Sequence, residues 1–227
     1  MEHYLGVEIT KSADGSSFTL SQPFLIDRVL NLLAIDQRMT NARDNPVQGP
    51  LLSKDIEGPE RKLSWNYRSA VGMLGYLQNS SRPDIAMAVH QCARFCSCPK
   101  LCHERAIMRI GRYLLGTKDK GIVYHPNPIK GLECYVDADF AGGWNSGDNT
   151  LPESVLSRSG FVIMYAGCPI SWTSKMQTEI ALSTTESEYV ALSQSMREVI
   201  PLLRLLEDLD SVLDLPHQDK PNFRCTV

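Results

Sequence analysis

The chain has 227 residues, of which 43% are hydrophobic and 22% are charged. These values are near the globular average, so we do not expect a disordered or collagen-like chain, and the length predicts one or two domains. No apolar run reaches 18 residues and the N-terminus has no apolar segment, so we expect neither a membrane span nor a secretory signal. The seven cysteines, an odd number, indicate mostly free thiols in a reducing compartment.

Charge divides the chain into a basic part and an acidic part. Residues 1–131 contain 17 Lys and Arg against 12 Asp and Glu, whereas residues 132–227 contain 6 against 14. Such asymmetry is typical of chains that bind a charged partner. The basic part could follow a phosphate backbone, and the acidic part could hold metal ions or be a solvated surface.

The first half of the chain predicts a β-hairpin followed by helices. Asp14-Gly15 is a turn signal between the β-prone segments 4–10 and 17–21. Helical spacing of apolar residues and prolines at helix starts then predict four helices. They are expected over 23–35, 64–79, 83–95 and 99–116. The polar segment 37–61 contains three prolines and is expected to be a loop.

The second half predicts an α/β unit. Strands are expected over 132–138, 160–166 and 169–174, and a further strand begins at 222–227. The segment 142–158 is rich in Gly, Asn and Ser and predicts a loop. The tetrapeptide from Ser183 to Glu186 has the pattern of a capping box, in which Ser183 bonds an amide of the first turn and Glu186 reaches back. A long helix should therefore run from there to about Asp210.

Four cysteines lie close together in the sequence and precede a histidine. They are Cys92, Cys96, Cys98 and Cys102, followed by His103. Their spacing is unlike the CxxC pairs of structural zinc sites, and a proline separates them into two helices. The favoured interpretation is that they are small hydrophobic residues, with zinc as the alternative.

A stripe of arginines lies on the fourth expected helix. Arg105, Arg109 and Arg112 follow one another at i, i+4 and i+7, which places them on one face. An adjacent apolar face should pack on the core and leave the guanidinium groups outward. They could then bind phosphates, or they could form a solvated face with salt bridges.

Three acidic residues are candidates for a metal site. Asp137 and Asp139 lie on one side of the strand expected over 132–138 and its end, because side chains alternate along a strand. Glu188 lies in the second turn of the capped helix. Mg²⁺ prefers oxygen ligands and often takes only one or two protein carboxylates, so a strand end and a helix start could hold it together. The alternative is that all three are surface acids.

An ordered series of short motifs runs along about residues 3–227. In order the motifs are YLGVEI, SQPFLIDRVL, YRSAVGMLGYL, SRPDIAMAV, RIGRYLLGT, YVDADFAG, SGFVIMYAG, SWTSKMQ and STTESEYVALS. Each piece alone is weak, but the ordered set is specific. The set resembles the C-terminal part of the copia-type LTR-retrotransposon polyprotein.

The resemblance implies two parts. Residues 1–130 resemble the end of the reverse-transcriptase palm, with the thumb and a connection. Residues 131–227 resemble a ribonuclease H domain, with an α/β fold built on a mixed sheet and a flanking helix. That domain cleaves the RNA strand of an RNA–DNA hybrid with two Mg²⁺ ions held by acidic residues. The implied partners are nucleic acid and the rest of the polyprotein, and the implied location is the cytoplasm, in a virus-like particle.

The resemblance also assigns residues by motif. Asp137 of YVDADFAG matches the first metal-binding Asp, and Glu188, which precedes Tyr-x-Ala, matches the acid carried by the helix. Glu186 instead fits the cap, and Asp139 is shared by the family without being a ligand. The cysteines fall at ordinary helix positions, so no zinc is expected.

Two departures from the family pattern limit the expected activity. The Tyr-x-Asp-Asp turn of the polymerase site is absent, so no polymerase activity is expected. The third catalytic Asp should follow the strand that begins at 222–227, beyond the last residue of this sequence. The chain is therefore expected to be a truncated ribonuclease H with an incomplete metal site, a nucleic-acid-binding fragment without chemistry, or an inactive relic.

Overall fold

The structure is a computed structural model that describes residues 2–36, 42–47, 49–144 and 154–213. It divides into two compact units, Met1–Tyr124 and His125–Val227. The fold is mixed α/β, and both sheets formed by the described residues are antiparallel. Within these residues, no helix is both long enough and apolar enough to cross a membrane.

Unit 1 contains a four-stranded antiparallel sheet whose strands follow one another in the order β1-β2-β3-β4. The strands are β1 Glu2–Tyr4, β2 Val7–Lys11, β3 Phe18–Ser21 and β4 Ile122–Tyr124. The hairpin expected at Asp14-Gly15 joins β2 to β3. The single strand expected over 4–10 is wrong, because Leu5 and Gly6 take positive φ angles of 48° and 78° and turn the chain there. β4 was not expected from the sequence.

The helices of unit 1 form its core. They are α1 Pro23–Leu32, α2 Tyr67–Ser80, α3 Ala86–Ala93 and α4 Leu101–Gly116. The helix expected to open at Pro83 begins as a 3₁₀ turn over Pro83–Ile85 and continues as α3. The apolar faces of all four helices meet in one buried cluster, which includes Ile26, Leu74 and Ile110. As expected for α4, Ile107 and Leu114 also point into this core.

Unit 2 is a three-stranded sheet with one helix on it. The strands are β5 Leu132–Asp139, β6 Arg158–Tyr165 and β7 Cys168–Met176, in the order β5-β6-β7, and the helix is α5 Thr184–Leu213. Helix α5 buries Ala191 and Val199 against one face of the sheet. The sheet is antiparallel over the described strands rather than mixed. The further strand expected at 222–227 and most of the loop expected over 142–158 lie outside the described residues.

Candidate functional site

The two candidate aspartates lie at the C-terminal end of β5, on the sheet face that points away from α5. Leu132, Cys134 and Val136 alternate with them and are buried against α5. Asp137 and Asp139 are exposed on the opposite face. The alternation expected from the sequence is therefore present, and both carboxylates can be reached from solvent.

The start of α5 carries the cap glutamate in its first turn and the candidate glutamate in its second. The Ser183 hydroxyl accepts a hydrogen bond from the Glu186 amide at 3.1 Å, as the capping pattern predicts. The Glu186 carboxylate accepts a hydrogen bond from the Leu182 amide at 2.7 Å, so it reaches one residue beyond the cap. Glu186 is thus engaged at the helix start, while Glu188 lies half-buried two residues further on, in the second turn.

A buried glutamine links the strand end to the helix start. The Gln177 Nε2 atom donates to the Ser159 hydroxyl at 3.0 Å and to the Ser187 carbonyl at 2.9 Å. Ser159 pairs across the sheet with Ala138, which lies between the two aspartates. The first turn of α5 therefore lies at the same end of the sheet as Asp137. No sequence motif pointed to Gln177, although it is the last residue of the quoted SWTSKMQ.

The donor set at this end of unit 2 consists of carboxylates. Among the described residues, no group of three or more His, Cys, Asp or Glu side chains is arranged to hold a metal ion. Two hard oxygen donors that are open to solvent fit a Mg²⁺ ion, because that ion retains several waters and often uses only one or two protein carboxylates. Asp137 and Glu188 each supply such a donor, and the strand end that carries Asp137 lies at the same end of the sheet as the start of α5.

The three arginines of α4 lie along one open groove. Its volume is about 660 Å³. Arg105 is exposed, and Arg109 and Arg112 are half-buried in its wall. Arg43 and Lys62 also line this groove. The sequence stripe identified three of these five cations; Arg43 and Lys62 come from segments far along the chain and are brought in by tertiary contacts.

A buried glutamate on α4 positions one of those segments. Glu104, only 3% exposed, accepts hydrogen bonds from the Leu63 and Lys62 amides at 2.9 and 3.4 Å. It also lies 3.4 Å from the Arg61 guanidinium. On the other side, the Arg43 amide donates to the Arg112 carbonyl at 3.2 Å. Glu104 is therefore neutralised inside unit 1, and the groove it helps to build has a cationic lining.

The comparisons identify the relatives of this chain. It is 37% identical over 219 residues to the retrovirus-related Pol polyprotein from transposon TNT 1-94 of Nicotiana tabacum, which covers 92% of this chain and 15% of that protein. It is 32% identical over 226 residues to the Pol polyprotein from transposon RE1 of Arabidopsis thaliana, covering 95% of this chain and 14% of that protein. Over most of its length the chain is similar to a segment of retrotransposon Pol polyproteins. It spans about one seventh of the length of these two polyproteins.

A shorter relative matches over a smaller region. The secreted RxLR effector protein 161 of Plasmopara viticola is 40% identical over 134 residues, which is 59% of this chain and 89% of that protein. No protein-family model matches the chain, and no solved structure matches it. The relationship of this chain to retrotransposon Pol polyproteins therefore depends on similarity that covers most of this chain and a small part of each polyprotein.

Two members of the cysteine and histidine cluster, Cys92 and His103, are used in packing, whereas Cys98 is exposed. Cys92 is buried in the core of unit 1, and burial raises the pKa of its thiol to about 12. The His103 ring stacks on Phe95, its Nδ1 accepts from the Lys100 amide at 2.9 Å, and its Nε2 lies 3.0 Å from the Ser53 carbonyl oxygen. Both ring nitrogens of His103 thus have protein partners, which leaves neither open for a metal.

Proposed function

We propose that this chain contributes the ribonuclease H step of reverse transcription, the hydrolysis of the RNA strand of an RNA–DNA hybrid. The observation that carries the proposal is the position of Asp137 and Glu188. One comes from the end of β5 and the other from the start of α5, and the contacts of Gln177 bring those two ends of unit 2 together. Similarity to retrotransposon Pol polyproteins supports the substrate, because reverse transcription produces such hybrids.

Asp137 and Glu188 would hold Mg²⁺ in this proposal. Both side chains are accessible to solvent, and both supply the oxygen ligands that this ion prefers. When bound, Mg²⁺ activates water and stabilises the leaving oxygen in phosphodiester cleavage. The role of the two residues is to orient the ion at the sheet end; Asp139, two residues further along β5, has no ligand role. Two protein carboxylates leave most coordination positions of the ion to water, so cleavage by this chain should be slow.

The test measures cleavage of an RNA–DNA hybrid with a labelled RNA strand in the presence of Mg²⁺. Asp137→Asn and Glu188→Gln should abolish the cleavage that the wild-type chain shows, whereas the matched control Asp139→Asn should retain it. Binding of Mn²⁺, followed by its electron paramagnetic resonance signal, measures the site without turnover. A wild-type chain that binds no Mn²⁺, or an Asp137→Asn variant that cleaves as well as wild type, would contradict the proposal.

The cationic groove of unit 1 supports a second function, which is binding of a nucleic-acid backbone. Five cations line it, and its buried acid is already neutralised. Each phosphate contact releases counterions, so affinity should fall steeply with salt. This function needs no metal, and unit 1 could provide it whether or not unit 2 cleaves the hybrid.

The groove is tested by titrating a labelled duplex at several salt concentrations. The double variant Arg105→Ala, Arg109→Ala should weaken binding uniformly across sequences and reduce the slope of log affinity against log salt by about two. Arg28→Ala is the control, because Arg28 is an exposed arginine on α1 that does not line the groove. Binding that does not depend on salt, or an equal effect of Arg28→Ala, would rule out the groove.

A further inference from the structure

Gln177 is a buried polar residue at the end of β7 for which packing alone gives no reason. Its side chain is 1% exposed, and its amide nitrogen donates two hydrogen bonds, to the Ser159 hydroxyl and the Ser187 carbonyl. The carbonyl of Ser187 can only accept, so the amide group must point its nitrogen towards α5. The backbone of Gln177 is itself fixed, since its N–H donates to the Ser157 carbonyl at 2.8 Å.

One acceptor adjoins Glu188, and the other lies on the strand that pairs with the strand of Asp137. Ser159 on β6 faces Ala138 across the sheet, and Ala138 directly follows Asp137. The carbonyl of Ser187 belongs to the peptide group that joins Ser187 to Glu188. A single amide group thus links a serine side chain of β6, the strand that pairs with the strand of Asp137, to the backbone beside Glu188.

The connection is shielded from water. Ser159 and Ser187 are 1% and 0% exposed. A buried hydrogen bond is costly to lose, because the group left behind has no water to replace its partner. Two such bonds from one side chain restrict the sliding of the first turn of α5 along the sheet, a motion that apolar contacts alone oppose weakly.

We propose that Gln177 is a positioning residue that sets the separation of Glu188 from Asp137 and so determines how well unit 2 binds a divalent cation. This inference rests on the proposed function, because it assumes that both carboxylates bind the same ion. It parallels the general behaviour of metal sites, in which groups that orient the ligands affect affinity about 10- to 100-fold. Gln177 itself does not touch the ion.

The experiment compares Gln177→Ala and Gln177→Met with wild type in the full chain. Methionine fills nearly the same volume without donating a hydrogen bond, so it separates positioning from loss of packing. We expect Mn²⁺ affinity to fall about tenfold in both variants. Hydrogen exchange of the amides at 184–188 should become faster, while exchange at 195–203, in the middle of α5, stays at the wild-type rate.

Two control variants make the comparison specific. Ser159→Ala removes one acceptor but leaves the bond to Ser187, so its effect on Mn²⁺ affinity should be smaller than that of Gln177→Met. Ser195→Ala removes an equally buried serine of α5 whose hydroxyl bonds only the Leu192 carbonyl in its own helix. That variant should leave both Mn²⁺ affinity and exchange at 184–188 unchanged.

The outcomes distinguish this inference from the function on which it rests. Wild-type Mn²⁺ affinity that survives Gln177→Met overturns the positioning role while leaving the metal site in place. Faster exchange at 184–188 without any loss of Mn²⁺ affinity has the same meaning, since it shows a purely structural tie. A wild-type chain that binds no Mn²⁺ overturns the proposed function, and the positioning role with it.

Discussion

The two units differ in what their buried polar side chains contact. In unit 1 the helices enclose a large apolar cluster, and its buried charged residues tie chain segments to one another; Arg82, for example, bonds both the carbonyl and the hydroxyl of Thr117. In unit 2 a single helix covers one face of the sheet, and the apolar cluster is much smaller. Two of its buried polar residues, Gln177 and Ser159, lie instead at the sheet end that carries the candidate carboxylates.

The sheet of unit 2 also differs in having one apolar face that α5 does not cover. Tyr135, Val162 and Trp172 lie side by side in register on that face, and the first two are exposed by 41% and 37%. Since the buried apolar cluster in the described part of unit 2 has fewer members than that of unit 1, the stability of unit 2 should depend more heavily on each contact with α5. The stability of unit 1 should instead be most sensitive to loss of the hydrogen bonds and ion pairs that its buried charged residues make.

The largest effect should come from Arg82→Ala in unit 1. Arg82 is 2% exposed, pairs with Asp84 at 2.7 Å and donates to Thr117, so its loss leaves buried acceptors without partners. We expect the free energy of unfolding of unit 1 to fall by about 4 kcal/mol. Hydrogen exchange in denaturant, followed separately for peptides of each unit, measures it.

A surface ion pair in the same unit provides the control. Lys118 lies 2.6 Å from Asp27, and both side chains are about one third exposed. Lys118→Ala should therefore change the stability of unit 1 by less than about 1 kcal/mol. Similar losses in Arg82→Ala and Lys118→Ala would show that the buried tie does not stabilise unit 1 as argued.

The next effect should come from Val199→Ala in unit 2. Val199 is fully buried between α5 and the sheet, and its truncation removes two methyl groups and leaves a cavity. We expect a loss of about 2 kcal/mol in unit 2, with unit 1 unaffected. Val212→Ala is the matched control on the same helix, because Val212 is 78% exposed. An equal loss in both variants would mean that α5 does not bury Val199 against the sheet.

A smaller effect should follow removal of the cap of α5. Ser183→Ala deletes the hydroxyl that accepts from the Glu186 amide, at an expected cost of about 1 kcal/mol to unit 2. Ser183→Asp keeps an acceptor at the cap and should restore nearly all of it. Exchange of the amides at 184–187 reports the change directly. If Ser183→Asp were as unstable as Ser183→Ala, the loss would have a cause other than the missing acceptor.

Local signals in the sequence predicted most helices and the strands of unit 2. Pro23 and the apolar spacing after it located α1, and the capping pattern located the start of α5 at Thr184. Elements that depend on distant partners were missed. β4 is three residues long and pairs with β3 across about a hundred residues of chain, so no local pattern marks it. The Leu5-Gly6 turn was missed because a leucine rarely takes a positive φ.

The residues of the candidate sites likewise include some that local sequence patterns predicted and some that depend on distant partners. Asp137, Glu188 and the arginine stripe of α4 were found from motif and spacing, since each stands on a regular element with a fixed period. Gln177, Arg43 and Lys62 were not found, because they lie at a strand end or in loops and acquire their positions only from tertiary contacts. Their roles, like those of the motif residues, remain predictions for the experiments above.

The smallest expected effect is a pH dependence of the free energy of unfolding of unit 1. Burial lowers the pKa of His103 below its ordinary value, although the hydrogen bond to Ser53 and the charge of Asp55 oppose this. In the folded chain the neutral ring accepts from the Lys100 amide through Nδ1, and protonation would place a proton there and break that bond. The stabilisation is therefore fully present above the unfolded pKa of about 6.5 and is lost as the pH falls below it.

The measurement compares the free energy of unfolding of unit 1 at pH 7.5 and pH 5.5 in wild type and in His103→Gln. Glutamine at the third helical position can also accept from the cap amide, and it does not titrate in this range. Wild-type unit 1 should lose stability on acidification, and the His103→Gln variant should lose less. An equal loss in both proteins would show that groups other than His103 cause the pH dependence. The contacts of His103 would then not count among the buried polar contacts by which unit 1 differs from unit 2.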